Sequence, residues 1–302
     1  MITGLYAPIH RSWINNLALD SPNTTYLPEV FQRSGYATGF SGKWHLDGGI
    51  DRTTGGPGID FRPRDQSYVP ADRRRGFEEW LGYEFGTIHN APFFWDDIAL
   101  PPVFRNVPEF GWEMRFQRAA LRDFVSRESR NNRPWMYKVS IGLPHGPNQA
   151  PAEFKAMYDP ATIELPPWIQ SSLTSSQSFH ARHTVAIMYA MVSFMDAEIG
   201  NMLSDLRAAG QLDNTLVVFT ADHGDLLGSH WDRWNFETYY FRGKDTPYSN
   251  SFRIPLIMRW PEKIPPRTKV DALIGMVDVP PTILSLAGLP VQPGRLMVDP
   301  SG

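Results

Sequence analysis

The run Val217-Val218-Phe219-Thr220 is β-branched and apolar, and it stops at Ala221-Asp222-His223-Gly224-Asp225. A buried strand that ends this way carries its polar residues to the carboxyl edge of a sheet, where open α/β folds bind ligands. Adjacent Asp222 and His223 can offer one metal ion a hard carboxylate oxygen and an imidazole nitrogen. An Asp-His-Gly turn explains the same residues with no chemistry at all. Three further clusters have a similar character. Lys43 and His45 lie in Gly42-Lys43-Trp44-His45, His145 lies in Leu143-Pro144-His145-Gly146-Pro147, and Lys244 lies in Arg242-Gly243-Lys244. Singly, each reads as a solvated loop lysine or loop histidine. Four such clusters at one edge of a parallel sheet read differently, because parallel strands present their carboxyl ends on one side. Together they make a site for a dianionic tetrahedral group. Lysines and a metal neutralise its charge, and a histidine protonates the leaving oxygen.

The elements that must position these residues are legible from apolar spacing. Residues 25–35 predict an amphipathic helix with Leu27, Val30 and Phe31 on one face and Gly35 at its end. Residues 36–41 predict a strand leading to Lys43 and His45. Residues 47–110, rich in Gly, Pro, Arg and aromatics, predict an insertion over the sheet edge with short strands at best. Helices are expected at 112–130, 181–209 and 277–287, and strands at 135–141, 216–220 and 254–259. Strands alternating with helices over this length imply an α/β fold, a mainly parallel central sheet with helices on both faces.

Composition narrows the partners. With 302 residues and 42% hydrophobic content, the chain can bury a sizeable core. Its net charge of −3 and scattered basic residues leave no footprint for nucleic acid. No apolar run approaches the ~20 residues of a membrane span. With no cysteine, disulfides, thiolate metal sites and a cysteine nucleophile are excluded within these residues. The first residues lack the pattern of a signal peptide, so localisation stays open, as does oligomeric state.

The motifs together resemble a family. Thr3-Gly4-Leu5-Tyr6, Gly42-Lys43-Trp44-His45-Leu46, Pro144-His145, Asp213-Asn214-Thr215 running into Asp222-His223-Gly224-Asp225, and Arg253-Ile254-Pro255-Leu256-Ile257 with Trp260-Pro261 are similar, in this order, to sulfatases of the alkaline-phosphatase superfamily. The resemblance implies that Lys43 and His45 bind sulfate oxygens and assist the nucleophile. It implies that His145 contacts the bridging oxygen as general acid, and that Lys244 is a second sulfate lysine, with Lys263 or Lys269 as the fallback. Asp222 and His223 are implied as two ligands of a divalent metal, Ca2+ by preference, with Mn2+ or Mg2+ open because the second position is often Asn in the family. His230 lies in a segment often near the site in relatives, and a plain loop histidine explains it equally well. The implied partner is a small-molecule or glycan sulfate ester.

One expected part is missing from these residues. Members of the family carry an early strand with paired Asp ligands and a Cys-or-Ser-x-Pro-x-Arg motif whose first residue becomes formylglycine, the nucleophile. No such motif occurs here. The expectation is therefore a sulfatase catalytic domain over residues 1–302 that lacks the first strand, the nucleophile motif and the C-terminal subdomain, and that is inactive as it stands. Three functions follow: a sulfuric ester hydrolase, a phosphonate monoester or phosphodiester hydrolase on the same scaffold, or a non-catalytic anion-binding remnant. Trp80, Tyr83, Trp95 and Trp112 read as packing residues that could also stack on a ring. Trp231, Trp234, Tyr239 and Tyr240 are the better candidates for the mouth of a site.

Overall fold

A computed structural model describes residues 2–12, 18–19, 24–47, 69–84, 88–96, 103–165, 169, 173–229, 243–244 and 247–291. The chain forms two compact units. The first comprises residues 1–142, 201–212 and 267–302, and the second residues 143–200 and 213–266.

In the first unit, β1 (Ala37–Lys43) lies between β2 (Glu79–Tyr83) and β5 (Trp135–Ser140), parallel to both. β3 (Phe93–Asp96) and β4 (Val103–Asn106) continue antiparallel beyond β2, giving the order β4-β3-β2-β1-β5. β1 is poor in β-branched residues, and it is buried along all but its last position. Its small residues make room for neighbours. A Cβ on Gly39 would lie 2.3 Å from the Tyr137 ring, so the strand is selected by packing rather than by propensity. Phe40 stacks on Trp80 at 4.5 Å, and Trp44 meets both rings edge-on.

Two helical layers close this unit. α3 (Glu113–Arg130) buries Met114, Gln117, Leu121, Phe124 and Val125, the three-four spacing of a single apolar stripe. Phe124 packs on Tyr137 of β5 at 4.9 Å, and burying such a ring stabilises by roughly 1.5–3 kcal/mol. α2 (Leu27–Arg33) packs Leu27 and Phe31 against Leu284 of α7 (Val279–Leu286). Asp278 stands at the N-cap of α7, with Pro280 and Pro281 in the first turn. Its carboxylate, though, accepts the Gly275 N–H at 2.7 Å instead of capping the helix.

The second unit holds most of α5 (Ser175–Ala208), which starts six residues before the expected position. Ala181, Val185 and Ala186 of α5 pack on Ile163 and Leu165. β6 (Val217–Thr220) pairs antiparallel with β7 (Leu256–Arg259), Val217 opposite Arg259 and Thr220 opposite Leu256.

The α/β fold with a mainly parallel sheet holds, and two details differ from expectation. Residues 79–106 do contain short strands, yet these extend the central sheet instead of merely covering its edge. Trp80, Leu81, Gly82 and Tyr83 are all buried, so no alternation marks the strand. Among the described residues, β6 joins β7 and not the parallel sheet. An apolar run of four residues carries no pattern that selects its neighbour.

Candidate active site

β1 ends at Lys43, whose backbone is in register with Tyr83 of β2. The Trp44 N–H donates to the Tyr83 carbonyl at 2.8 Å, and the His45 N–H donates to the Glu84 carbonyl at 2.9 Å. Trp44 turns inward into the aromatic core, while Lys43 and His45 stay half-buried. His45 has φ 55°, so the chain bends sharply at the strand end. This conformation costs a non-glycine residue on the order of 1 kcal/mol and is held by the bonds to β2. Gly42 is obligatory for two reasons: φ is 106°, and a Cβ would stand 2.0 Å from the Ser140 carbonyl oxygen of β5.

In the second unit, β6 leads into the Asp222–Asp225 turn. Gly224 donates its N–H to the Ser251 carbonyl at 2.8 Å, and a Cβ there would lie 1.8 Å from the Asn250 carbonyl oxygen. The glycine of Asp-His-Gly is thus required by close backbone approach. Asp222 Oδ1 accepts the His223 N–H at 3.0 Å, and the side chain is exposed. His223 Nδ1 lies 2.7 Å from the Gly224 carbonyl. A carbonyl only accepts, so Nδ1 carries the proton and the lone pair of the neutral ring sits on Nε2. That Nε2 is 3.5 Å from Asp222 Oδ2. His145 repeats the arrangement: its Nδ1 donates to the Gly146 carbonyl at 2.8 Å on an exposed loop.

Lys244 is tied to the same turn. The Leu226 N–H donates to the Gly243 carbonyl at 2.8 Å, which fixes the residue before Lys244 beside the segment that follows His223. Asp225 Oδ1 accepts the Leu227 N–H at 2.9 Å and tightens that segment. Asp222, His223, Lys244 and His145 all belong to the second unit, and Lys43 and His45 to the first. Delivery of every cluster by one parallel sheet is therefore corrected: β1 and β5 share a sheet, and β6 lies in an antiparallel pair with β7.

Of the fallback residues, Lys263 sits over the Trp260 ring at 4.3 Å, and Lys269 is exposed. Trp80 and Tyr83 are core residues. Arg242, His230, Trp231, Trp234, Tyr239 and Tyr240 lie outside the described residues.

Asp222 and His223 could offer a metal one carboxylate and one imidazole nitrogen, the carboxylate exposed and the ring half-buried. Among the described residues no group of three or more such side chains converges. A tetrahedral or octahedral ion needs at least two more ligands than this pair provides.

Sequence reasoning missed one polar cluster. Glu113, the first residue of α3, accepts the Tyr83 hydroxyl at 2.7 Å through Oε1, which also receives the Gln117 amide at 3.3 Å. Its Oε2 lies 2.9 Å from His89 Nδ1. All four residues are buried. Burial first, then the Glu113 charge and hydrogen bond, push the Tyr83 hydroxyl well above its ordinary pKa. These partners sit on β2, a loop and a helix, so no local spacing announces them.

Comparison with known proteins completes the picture. A bacterial ulvan-active sulfatase from Formosa agariphila is 28% identical over 97% of this chain and 52% of its own length. An endo-4-O-sulfatase from Bacteroides thetaiotaomicron is 26% identical over 96% of this chain and 56% of its own. The crystal structure of YidJ from Bacteroides fragilis superposes with a TM-score of 0.77 at 26% identity, covering 95% of this chain and 62% of that one. The chain spans about half the length of the curated relatives it matches. The family model described as Sulfatase matches residues 1–289, and the chain belongs to the sulfatase family.

Proposed function

We propose that this chain carries the anion-binding and metal-ligating face of a sulfuric ester hydrolase acting on a glycan or small-molecule sulfate ester. The observation that carries the reading is the orientation of His223. With Nδ1 bound to the Gly224 carbonyl, Nε2 faces the Asp222 carboxylate, so nitrogen and oxygen donors address one point. Asp222 and His223 would hold a divalent cation, Ca2+ by preference, which when bound would supply Lewis-acid stabilisation to sulfuryl oxygens. Lys43, at the end of β1, and Lys244, beside the Asp222–Asp225 turn, are cations of the kind that neutralise sulfate oxygens. His45 orients the group next to Lys43. His145, with Nδ1 anchored on the Gly146 carbonyl, donates the Nε2 proton of its imidazolium form to the leaving oxygen and is left neutral. The relatives named for ulvan and for endo-4-O-sulfatase action support a glycan ester. Formylglycine is the nucleophile in this reading, and these 302 residues contain no Cys-x-Pro-x-Arg or Ser-x-Pro-x-Arg segment that would furnish it.

The test joins these residues to a Cys-x-Pro-x-Arg segment matured to formylglycine and compares hydrolysis of 4-nitrophenyl sulfate with that of a phenyl phosphonate monoester. Sulfate turnover should exceed phosphonate turnover, and Asp222→Ala should lower it by roughly 10³-fold or more. Preference for the phosphonate would replace the sulfatase reading with the phosphonate monoester hydrolase one. Metal content unchanged in Asp222→Ala would end the ligand assignment.

A further inference from the structure

The Glu113 cluster is buried, polar and unused by the chemistry above, and it lies under the strand ends that carry the sulfate pair. We propose that Glu113 is a positioning residue for the anion site: its carboxylate holds the carboxyl ends of β2 and β5, and through β2 it sets the backbone of Lys43, Trp44 and His45. This rests on the reading of Lys43 and His45 as the sulfate-binding pair.

The chain of contacts is short. Glu113 Oε1 accepts the hydroxyl of Tyr83, the last residue of β2. The Tyr83 carbonyl accepts the Trp44 N–H at 2.8 Å, and the next carbonyl, that of Glu84, accepts the His45 N–H at 2.9 Å. Fixing the Tyr83 side chain therefore fixes the two acceptors that shape the bend after Lys43. Glu84 adds a second hold by accepting the Asp47 N–H at 2.9 Å through Oε1.

The β5 side is held by the same carboxylate. A Cβ on Gly142 would lie 2.5 Å from Glu113 Oε2 and 3.1 Å from the Tyr83 hydroxyl, so the backbone beyond β5 rests directly on the cluster. Gln117 bridges the two, donating to both Glu113 Oε1 and the Ser140 carbonyl. Ser140 in turn faces Gly42, the residue before Lys43. Glu113 also stands in the first turn of an 18-residue helix, where a carboxylate is stabilised by the orphan N–H groups and dipole. An anion so placed stays put and can order three segments at once. Hydrogen bonds to a buried charge are among the stronger ones, and losing one leaves its partners unsatisfied.

Hydrogen–deuterium exchange on the chain itself tests this, with Glu113→Gln as the main variant and Tyr83→Phe as the milder one. Amides of Trp44 and His45 should exchange about tenfold faster in Glu113→Gln, and in the same direction but less in Tyr83→Phe, while Phe40 in the middle of β1 is unchanged. A uniform rise along β1, or none in either variant, would overturn the positioning role, and this readout does not depend on sulfate. A parallel titration with inorganic sulfate adds the functional arm. Weaker binding by about tenfold in Glu113→Gln supports the role, and affinity equal to the unmodified chain overturns it. If the unmodified chain and Lys43→Ala bind sulfate alike, the sulfate-pair reading fails, and the exchange data still decide whether Glu113 sets this backbone.

Discussion

His145 and His223 share one device, an Nδ1 proton given to the carbonyl of the following glycine. The device needs no second residue and leaves Nε2 for proton transfer at His145 and a metal bond at His223 in the function proposed above. A test separates the two roles. In a formylglycine-bearing protein, His145→Ala should lower kcat/KM for an alkyl sulfate by about 10²–10⁴ and for 4-nitrophenyl sulfate by much less, since a good leaving group needs no proton. Equal losses on both esters would remove His145 from the acid role. The two histidines stood out in the sequence by their motifs, and the resemblance to sulfatases suggested the roles. Which ring nitrogen does the work was not legible, because it depends on the local path of the backbone at Gly146 and Gly224.

At the scale of elements, turns and ion pairs hold what the side chains use. The Asp-His-Gly turn runs against the Asn250 carbonyl, and Gly224→Ala puts a methyl group where that oxygen stands. The substitution should destabilise by roughly 2 kcal/mol or more, read as a lower urea midpoint with the slope unchanged. Stability equal to the parent would mean that the turn yields freely. α3 and the last turns of α5 are joined by a two-pronged pair, Arg118 Nε and Nη2 on Asp205 at 2.6 and 2.9 Å. The hydrogen bond from Arg118 holds the Asp205 pKa below its ordinary value despite partial burial. The folded state thus binds this proton more weakly than the unfolded chain. The stabilisation is complete above the usual carboxylate range near pH 4 and disappears as pH falls through the lower, folded value. Asp205→Asn should therefore lower Tm at pH 7, with an effect that shrinks as pH falls below the usual carboxylate range and vanishes below the folded value. A Tm difference that persists in acid would mean that packing, not charge, is at work. The helices were readable because apolar residues recur at helical spacing: the sequence put Phe116, Ala119, Ala120 and Phe124 on the apolar face of α3, and the structure buries Ala120 and Phe124 together with Met114, Leu121 and Val125. β2 was not, since its buried Trp80, Leu81, Gly82 and Tyr83 show no alternation.

At the scale of the whole molecule, family and fold class were legible, and the pairing of particular strands was not. Lys43, His45, His145, Asp222, His223 and Lys244 each sit in a short motif, and short motifs survive in a string of letters. Long-range choices do not. The pairing of β6 with β7, the extension of the sheet through β3 and β4, and the meeting of Glu113 with Tyr83 and His89 are decided by packing between distant segments.

Calorimetric titration of the chain with inorganic sulfate, in the presence of Ca2+, addresses the anion site most directly. Binding with a Kd on the order of 1 mM, lost in Lys43→Ala and in Lys244→Ala, is the predicted result. Binding unaffected by either substitution, or no binding by the unmodified chain, would contradict the assignment of these lysines to a sulfate ester.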